Sequence, residues 1–305
     1  MNQNNKLYHE DEIDLKELFF TFWDKKLLIV SITSIFAILS VIYALLLPNI
    51  YTSTTLLAPT KTDDSLTSQL GQFSSLARVS GISLPSKSGS RTQEAIERIK
   101  SFEFFSKYFL PNVMLENISA VKRWNPNSNQ LIYEEKVFDN LSKKWLEDIP
   151  SEQEAFVIFN KALSITVDRK TEFVSISIDH KSPIIAKEWL DIIIYNINES
   201  MRLEDIDLAQ NYINFLNKSQ QVTNLQSLKV VASNLLENQM QTLMLASSSQ
   251  AYIFKTINSP IIPELKSGPS RAIIYMAITI FGGFLSLLIV LIRHYFFVED
   301  KQVSL

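Results

Sequence analysis

Two uninterrupted apolar runs lie near the ends of the chain. Residues 27–47 and 272–292 each hold 21 residues without a charged side chain, and 17 of the 21 are hydrophobic. A helix needs about 20 residues to cross the hydrocarbon core of a membrane, because each residue adds about 1.5 Å. Buried helices of soluble proteins rarely run that far without a charge, and the first run ends without the small residues of a signal-peptide cleavage site. The pattern therefore predicts two membrane-spanning helices.

The charges that flank these runs favour one orientation. Lys25 and Lys26 precede the first run and Arg293 follows the second, whereas Lys266 and Arg271, before the second run, oppose the trend. Because lysine and arginine are enriched on the cytoplasmic side of membrane helices, the balance predicts that both ends are cytoplasmic and the central part is outside. In a bacterium that outside is the periplasm. Before the first run, apolar side chains share one helical face, which predicts an amphipathic helix at the membrane interface.

The centre of the chain lacks helix breakers. Glycine is absent from residue 90 to residue 267 and proline from 184 to 259, so residues 183–249 are predicted to form long helices that start at Ser182-Pro183. The polar patch 217–221 interrupts the apolar spacing and is the predicted kink or turn. A helix pair of that length cannot bury itself in a domain of this size, so its apolar stripe is predicted to pack on other copies or on a partner. The stripe consists of Leu208, Tyr212, Phe215, Leu225, Leu228, Leu235, Met240 and Leu243.

Strands bracket these helices. β-branched or alternating segments predict strands at residues 51–57, 163–167, 173–178 and 252–257. The first and last emerge from the two spans and are predicted to pair side by side. Shorter helices are predicted at 92–109 and 151–163, the second from a capping box formed by Ser151 and Glu154. Residues 60–90 are predicted as a loop, with a possible short helix at 66–79.

The predicted fold class is an α+β membrane protein, with two terminal transmembrane helices flanking a periplasmic domain that has an α/β base and a long projecting helical hairpin. An elongated helical bundle with minor strands is the alternative. In chain order the predicted parts are a cytoplasmic amphipathic segment (1–26), the first transmembrane helix (27–47), the periplasmic domain (48–271), the second transmembrane helix (272–292) and a cytoplasmic tail (293–305). Within the periplasmic domain they are the α/β base (48–182 and 250–259), the long helices (183–249) and a proline-rich segment (260–271).

The amino-acid composition of the chain excludes several classes of function. The formal net charge of −3 gives no electrostatic case for nucleic acid binding, and the absence of cysteine excludes disulfides, thiol catalysis and thiolate metal sites. The three histidines are scattered, and no phosphate-loop, dinucleotide or nucleophile-elbow motif is present. Carboxylates that are close in sequence, such as Glu204, Asp205 and Asp207, are interpreted as a solvated face. The sequence therefore predicts no catalytic residue, no metal, no cofactor and no enzyme.

Two further sets of residues are candidates for interactions. Prolines fix φ and remove hydrogen-bond donors, so the proline-rich segment is predicted to be extended and to couple the outer domain to the second span. Its candidate residues are Pro260, Pro263, Pro269 and Arg271. Small residues four apart allow membrane helices to approach closely. The candidates for such packing are Thr33, Ala37, Ser40, Ala44, Gly282, Gly283 and Ser286.

Four segments together resemble one family, the Wzz-type chain-length determinants, which are polysaccharide co-polymerases without a kinase domain. The segments are IDLKELFFTFWDKK before the first span, PNIYTSTTLLAPT after it, residues 145–190, and AYIFKTINSPIIPELKSGPSR before the second span. The second span departs from the family in having only two glycines, whereas members often carry more.

The resemblance implies a two-pass protein of the bacterial inner membrane that forms a homo-oligomer. It also implies a non-catalytic role, in which the protein sets the modal length of lipid-linked surface polysaccharide, usually O-antigen, together with a Wzy-type polymerase. The alternatives are a two-span periplasmic ligand-binding sensor and an adaptor of another polysaccharide export system. A sensor would need a cytoplasmic output, for which the 13-residue tail is too short.

Overall fold

The computed structural model describes residues 15–60, 91–222 and 226–302. The predicted short helix at 66–79 lies outside the described residues. The helices are α1 (Leu15–Asp24), α2 (Lys26–Leu46), α3 (Arg91–Ile99), α4 (Phe102–Phe104), α5 (Leu115–Ser119), α6 (Glu152–Ala162), α7 (Pro183–Val222), α8 (Gln226–Ser248) and α9 (Arg271–Gln302). The strands are β1 (Tyr51–Pro59), β2 (Val121–Asn125), β3 (Gln130–Tyr133), β4 (Phe138–Asp139), β5 (Lys144–Trp145), β6 (Leu163–Val167), β7 (Val174–His180) and β8 (Phe254–Asn258).

The chain divides into two units. One holds residues 1–48 and 268–305, and the other holds residues 49–267. In the first unit, α2 and α9 pack against each other, and both are long and apolar enough to cross a membrane. The predicted arrangement of two apolar terminal helices flanking an α/β domain with a long helix is confirmed.

The second unit is built on an antiparallel sheet with strand order β6-β7-β1-β8. β1 pairs with β7 from Tyr51 opposite His180 to Leu57 opposite Val174, and with β8 on its other side. The predicted pairing of the first and last strands is therefore confirmed, although β8 begins two residues later than expected. The 163–178 hairpin is also confirmed, as β6 and β7.

Alternation along the strands gives the sheet one buried face. β7 buries every second side chain from Val174 to His180, and β1 does so from Tyr51 to Leu57. The first half of α7 contributes a matching apolar face with helical spacing, and it packs on β1 and β7. Its buried side chains are Ile185, Ala186, Trp189, Leu190, Ile193, Ile197 and Met201.

Two helix starts follow their local sequence signals. Ser151 and Glu154 form a complete capping box at α6, in which the Ser151 hydroxyl accepts from the Glu154 N–H and the Glu154 carboxylate accepts from the Ser151 N–H. Pro183 is the first residue of α7. Proline is favoured there because the first helical N–H has no intrahelical partner. The predicted starts of both helices are thus confirmed.

Two predictions about helix continuity are wrong. The helix predicted over 92–109 breaks at Ser101, which adopts an extended conformation and caps α4, and a π-helical turn (Phe105–Phe109) and a 3-10 turn (Leu110–Asn112) follow. Phe105 and Phe109, both within the π-helical turn, are fully buried in the core. The polar patch 217–221 does not end the long helix either, because α7 continues to Val222.

A small lobe between α5 and α6 was missed by the sequence analysis. It consists of two hairpins, β2 with β3 and β4 with β5, and a turn in the sequence NPNSN (125–129) joins the first pair. Its own core contains Ala120, Val121, Tyr133 and Phe138. The local pattern does not predict these strands, because each has only two to five residues and β2 carries the charged side chains of Lys122 and Arg123.

Candidate oligomerisation and coupling surfaces

The outer part of α7 and much of α8 leave large apolar side chains exposed. Beyond Met201, Ala209 is the only α7 residue that is buried among those whose side chains the structure describes, and Ala246 is the only such residue of α8. The two helices pack against each other, yet most of their larger apolar side chains stay exposed. Such a surface is characteristic of proteins that associate.

Most of the predicted helix stripe lies on this exposed surface. Leu225 lies outside the described residues, and the side chain of Leu228 is not described. Leu243 is half-buried. The exposed members are Leu208, Tyr212, Phe215, Leu235 and Met240, and they are accompanied by Leu203, Val230, Met244 and Leu245, which the sequence analysis did not select.

Three polar side chains of α7 hold the chain that returns from α8. The Asn198 amide oxygen accepts from the N–H groups of Ile253 (2.8 Å) and Phe254 (2.9 Å), and its nitrogen donates to the Phe254 carbonyl (3.2 Å). Arg202 donates to the Ala246 carbonyl (3.3 Å), and Asp205 accepts from the Tyr252 hydroxyl. Burial, and then the Asp205 carboxylate, raise the pKa of Tyr252. One face of α7 thus fixes the start of β8.

The carboxylates near position 205 also bind α3. Asp205 forms an ion pair with Arg91, and Glu204 forms one with Arg98, which also binds Glu94. The hydrogen bond from Arg98 lowers the pKa of Glu204. The interpretation of these carboxylates as a solvated face is therefore wrong for Asp205, whose side chain is only 15% exposed, whereas Glu204 stays exposed. The partners are more than 100 residues away in sequence, so no local pattern could indicate them.

The proline-rich segment runs beside β1. The Ser53 hydroxyl donates to the Ile261 carbonyl (2.8 Å) and the Thr55 hydroxyl to the Asn258 carbonyl (2.8 Å). Ser267 donates its N–H to the Ile50 carbonyl (2.8 Å). Side-chain hydroxyls of β1 thus bind carbonyls of the neighbouring stretch, whose prolines offer no N–H for a regular backbone ladder. Pro260 is buried and Pro263 is half-buried in this arrangement.

The small residues of the two spans line the contact between α2 and α9. Ser40, Ala44 and Ser286 are buried, and Thr33 and Ala37 are half-buried. A Cβ atom added to Gly282 would lie 2.5 Å from the Cβ of Phe36, whereas one added to Gly283 would meet Thr33 at 3.9 Å. Ser40 and Ser286 donate their hydroxyls to carbonyls within their own helices. In the same unit, Pro269 is half-buried, and Arg271 donates to the Leu47 carbonyl at 3.5 Å.

A metal-binding group of His, Asp and Glu does not occur among the residues that the structure describes. The most buried histidine, His180, instead has structural partners. Its Nδ1 accepts from the Ser182 N–H (2.9 Å) and its Nε2 lies 3.0 Å from the Asn117 carbonyl. Burial lowers the pKa of His180, and Lys181 adds to this effect.

The sequence model of the family described as "Wzz: Chain length determinant protein" matches residues 11–110. The predicted resemblance to Wzz chain length determinants is confirmed over this segment. The matched segment includes α1, α2, β1 and α3. It contains two of the four segments on which the resemblance was based, and the other two lie beyond it.

The solved structures that are similar to this chain include two polysaccharide co-polymerases. One, "full-length bacterial polysaccharide co-polymerase", has a TM-score of 0.40 and 14% identity, and the match covers 92% of this chain and 98% of the other. The second, a fragment of WzzB, a polysaccharide co-polymerase from Salmonella Typhimurium, has a TM-score of 0.29 and 15% identity, with coverage of 72% and 100%. A search of the curated proteins found no match.

Proposed function

We propose that this protein is a non-catalytic regulator of the modal chain length of lipid-linked surface polysaccharide, the O-antigen of lipopolysaccharide. The observation that carries the proposal is the match of residues 11–110 to the chain length determinant family. The two apolar terminal helices and the α/β domain between them supply the anchors and the outer domain that such a regulator requires.

The proposed location is the bacterial inner membrane, with both termini cytoplasmic and residues 48–271 in the periplasm. The support is the length and apolar composition of α2 and α9 and the positive charges that flank them. In this arrangement α1 would lie at the cytoplasmic interface. Its aromatic side chains suit that position, because Phe19 stacks on Trp23 and Lys26 lies over the same indole ring.

The proposed partners are other copies of this chain, a Wzy-type polymerase and the lipid-linked polysaccharide. The exposed apolar residues of α7 and α8 would form the contacts between copies. The proline-rich segment would transmit the position of the outer domain to the second span. The hydrogen bond of its Ile261 carbonyl to β1 and the Asn198 contacts at the start of β8 support this role, because they fix the segment where it leaves the outer domain.

Deletion of the gene tests the proposed function. Lipopolysaccharide from the deletion strain, separated on a gel, should lose the modal cluster of chain lengths while the ladder of shorter chains remains. The intact gene on a plasmid should restore the cluster. An unchanged ladder in the deletion strain would contradict the proposal.

The same assay tests the coupling role of the prolines. Replacement of Pro260, Pro263 and Pro269 by alanine should shift the mode, because the segment gains backbone freedom and hydrogen-bond donors. The protein level should stay unchanged. If the mode stays in place at equal protein level, the segment is only a linker.

A further inference from the structure

A groove of about 280 Å³ lies between α7 and the chain that leaves α8 and enters the proline-rich segment. Tyr195 and Asp191 of α7 form one wall, and Gln250, Thr256 and Ser259 line the other side. All of these residues belong to the unit of residues 49–267.

The floor of the groove is rigid. Phe254 is buried, and Asn198 beneath it is fully engaged through its amide oxygen and nitrogen, as described above. Asn198 therefore has no hydrogen-bonding capacity left for a ligand. Its role is to hold β8 against α7, so that the two walls keep a constant separation.

The rim of the groove carries polar side chains that make no hydrogen bond with other residues that the structure describes. Gln250, Thr256 and Ser259 make no side-chain hydrogen bond with any residue in the described part of the chain. Tyr195 makes none either, and its side chain is 67% exposed. Asp191 uses Oδ2 to bind Lys187 and keeps Oδ1 available.

These groups match the chemistry of a neutral sugar. An amide and two hydroxyls can each donate and accept, as the adjacent hydroxyls of a sugar ring do, and a carboxylate oxygen adds a strong acceptor. The tyrosine ring offers an apolar face to the C–H side of the sugar. The groove fits an anion less well, because its charged member is a carboxylate, and the nearby Lys187 is already paired with it.

We propose that this groove binds an uncharged, hydroxyl-rich segment of a saccharide chain. The inference rests on the proposed function only for the identity of the saccharide, which would be the polysaccharide whose length is regulated. The ligand could be presented as free glycan or attached to lipid, and both forms share the chemistry that the groove recognises.

Binding is tested with the full-length protein in phospholipid nanodiscs, because maltoside detergents carry sugar headgroups that would compete. The probe is the polysaccharide released by mild acid from the lipopolysaccharide of the source strain, titrated calorimetrically. Tyr195→Ala should weaken binding by at least about fivefold, and Gln250→Ala should weaken it by a smaller factor. Tyr195→Phe keeps the ring and should retain most of the affinity.

Gln153→Ala is the matched control. Gln153 is an exposed glutamine on α6 that makes no side-chain hydrogen bond with other described residues, so its loss should leave binding unchanged. Equal affinity of wild type and Tyr195→Ala for the released polysaccharide would overturn the proposal. So would binding that occurs only with lipid-linked glycan and is unaffected by Tyr195→Ala, because the contact would then be with lipid.

The failure of this proposal can be distinguished from failure of the proposed function. If deletion of the gene abolishes the modal cluster but Tyr195→Ala changes neither binding nor mode, the groove is not a saccharide site and the regulatory function stands. If deletion leaves the ladder unchanged while Tyr195→Ala weakens binding, the groove binds saccharide and the proposed function is wrong.

Discussion

His180 shows how one buried side chain can fix the start of the long helix. The ring is 8% exposed and its centroid lies 4.9 Å from that of Trp189. Because Nδ1 accepts a hydrogen bond from the Ser182 N–H, the proton of the neutral ring must lie on Nε2, where it is donated to the Asn117 carbonyl. If the ring took up a second proton, it would bind to Nδ1, and the resulting N–H would point at the Ser182 N–H. The folded protein therefore favours the neutral ring.

The stability of the protein should therefore fall as the pH is lowered. The unfolded chain binds a proton at His180 below a pH of about 6.5, whereas the folded chain, with its lowered pKa, binds that proton only at a lower pH. Between these values the free energy of unfolding should drop by up to about 1.4 kcal/mol per pH unit. Thermal unfolding of wild type and His180→Gln between pH 7.5 and pH 5 measures the difference.

The two variants of this test should behave differently. His180→Gln removes the titrating group, so its unfolding temperature should depend less on pH than that of wild type. His294→Gln, which replaces a histidine outside this domain, should keep the full dependence. Parallel pH curves for wild type and His180→Gln would show that the His180 charge does not limit stability.

The sequence could not indicate which side chains of α7 contact residues that are distant in the chain. Asp205 was assigned to a solvated face from its polar neighbours, yet it binds Arg91 and Tyr252, which lie 114 and 47 residues away. The Asn198 contacts to β8 span 55 and 56 residues. Such pairs depend on how the fold brings distant segments together. The local pattern of apolar and polar residues contains no information about them.

At the scale of elements, prediction succeeded where a signal was local and strong. Alternation indicated β1 and β7, and Pro183 and the Ser151 capping box gave the starts of α7 and α6. It failed where polarity was taken as a sign of a turn. The polar patch 217–221 is helical, because lysine and glutamine are good helix formers. The two-residue strands of the small lobe are too short to show a period.

The contact between α2 and α9 depends on the absence of a side chain at Gly282. A Cβ atom there would come within 2.5 Å of the Cβ and 2.6 Å of the Cγ of Phe36, and no rotamer change can move the Phe36 Cβ. Gly282→Ala should therefore push the helices apart and lower the thermal unfolding temperature of the extracted protein. Overpacking of this kind costs about 1–3 kcal/mol.

Gly283 supplies the matched control, because an alanine there would meet Thr33 at an ordinary van der Waals distance of 3.9 Å. Gly283→Ala should leave the unfolding temperature unchanged. Phe36→Ala combined with Gly282→Ala should recover part of the loss, since it removes the Cγ and the ring. Equal unfolding temperatures for Gly282→Ala and Gly283→Ala would show that the α2–α9 contact is not tightly packed.

At the scale of the whole molecule, the main question is what covers the apolar surface of α7 and α8. α7 has 40 residues and is about 60 Å long, yet its buried side chains are concentrated in the first half. Helices of this length gain little stability alone and depend on packing of an apolar face. The exposed surface therefore supports the proposal that copies of the chain associate through these helices.

Charge placed on that surface should weaken the assembly without unfolding the domain. Leu235 and Met240 are 42% and 53% exposed, so Leu235→Lys and Met240→Lys alter little in the core, whereas in an interface they would bury an unpaired ammonium group. Gln241→Lys adds the same charge at an exposed position that is already polar, and it should leave assembly intact. The mass of the nanodisc- or detergent-extracted particle by light scattering, after subtraction of lipid, reports the number of subunits. If both apolar variants keep the wild-type mass, the copies associate through another surface, and α7 and α8 must meet a different partner.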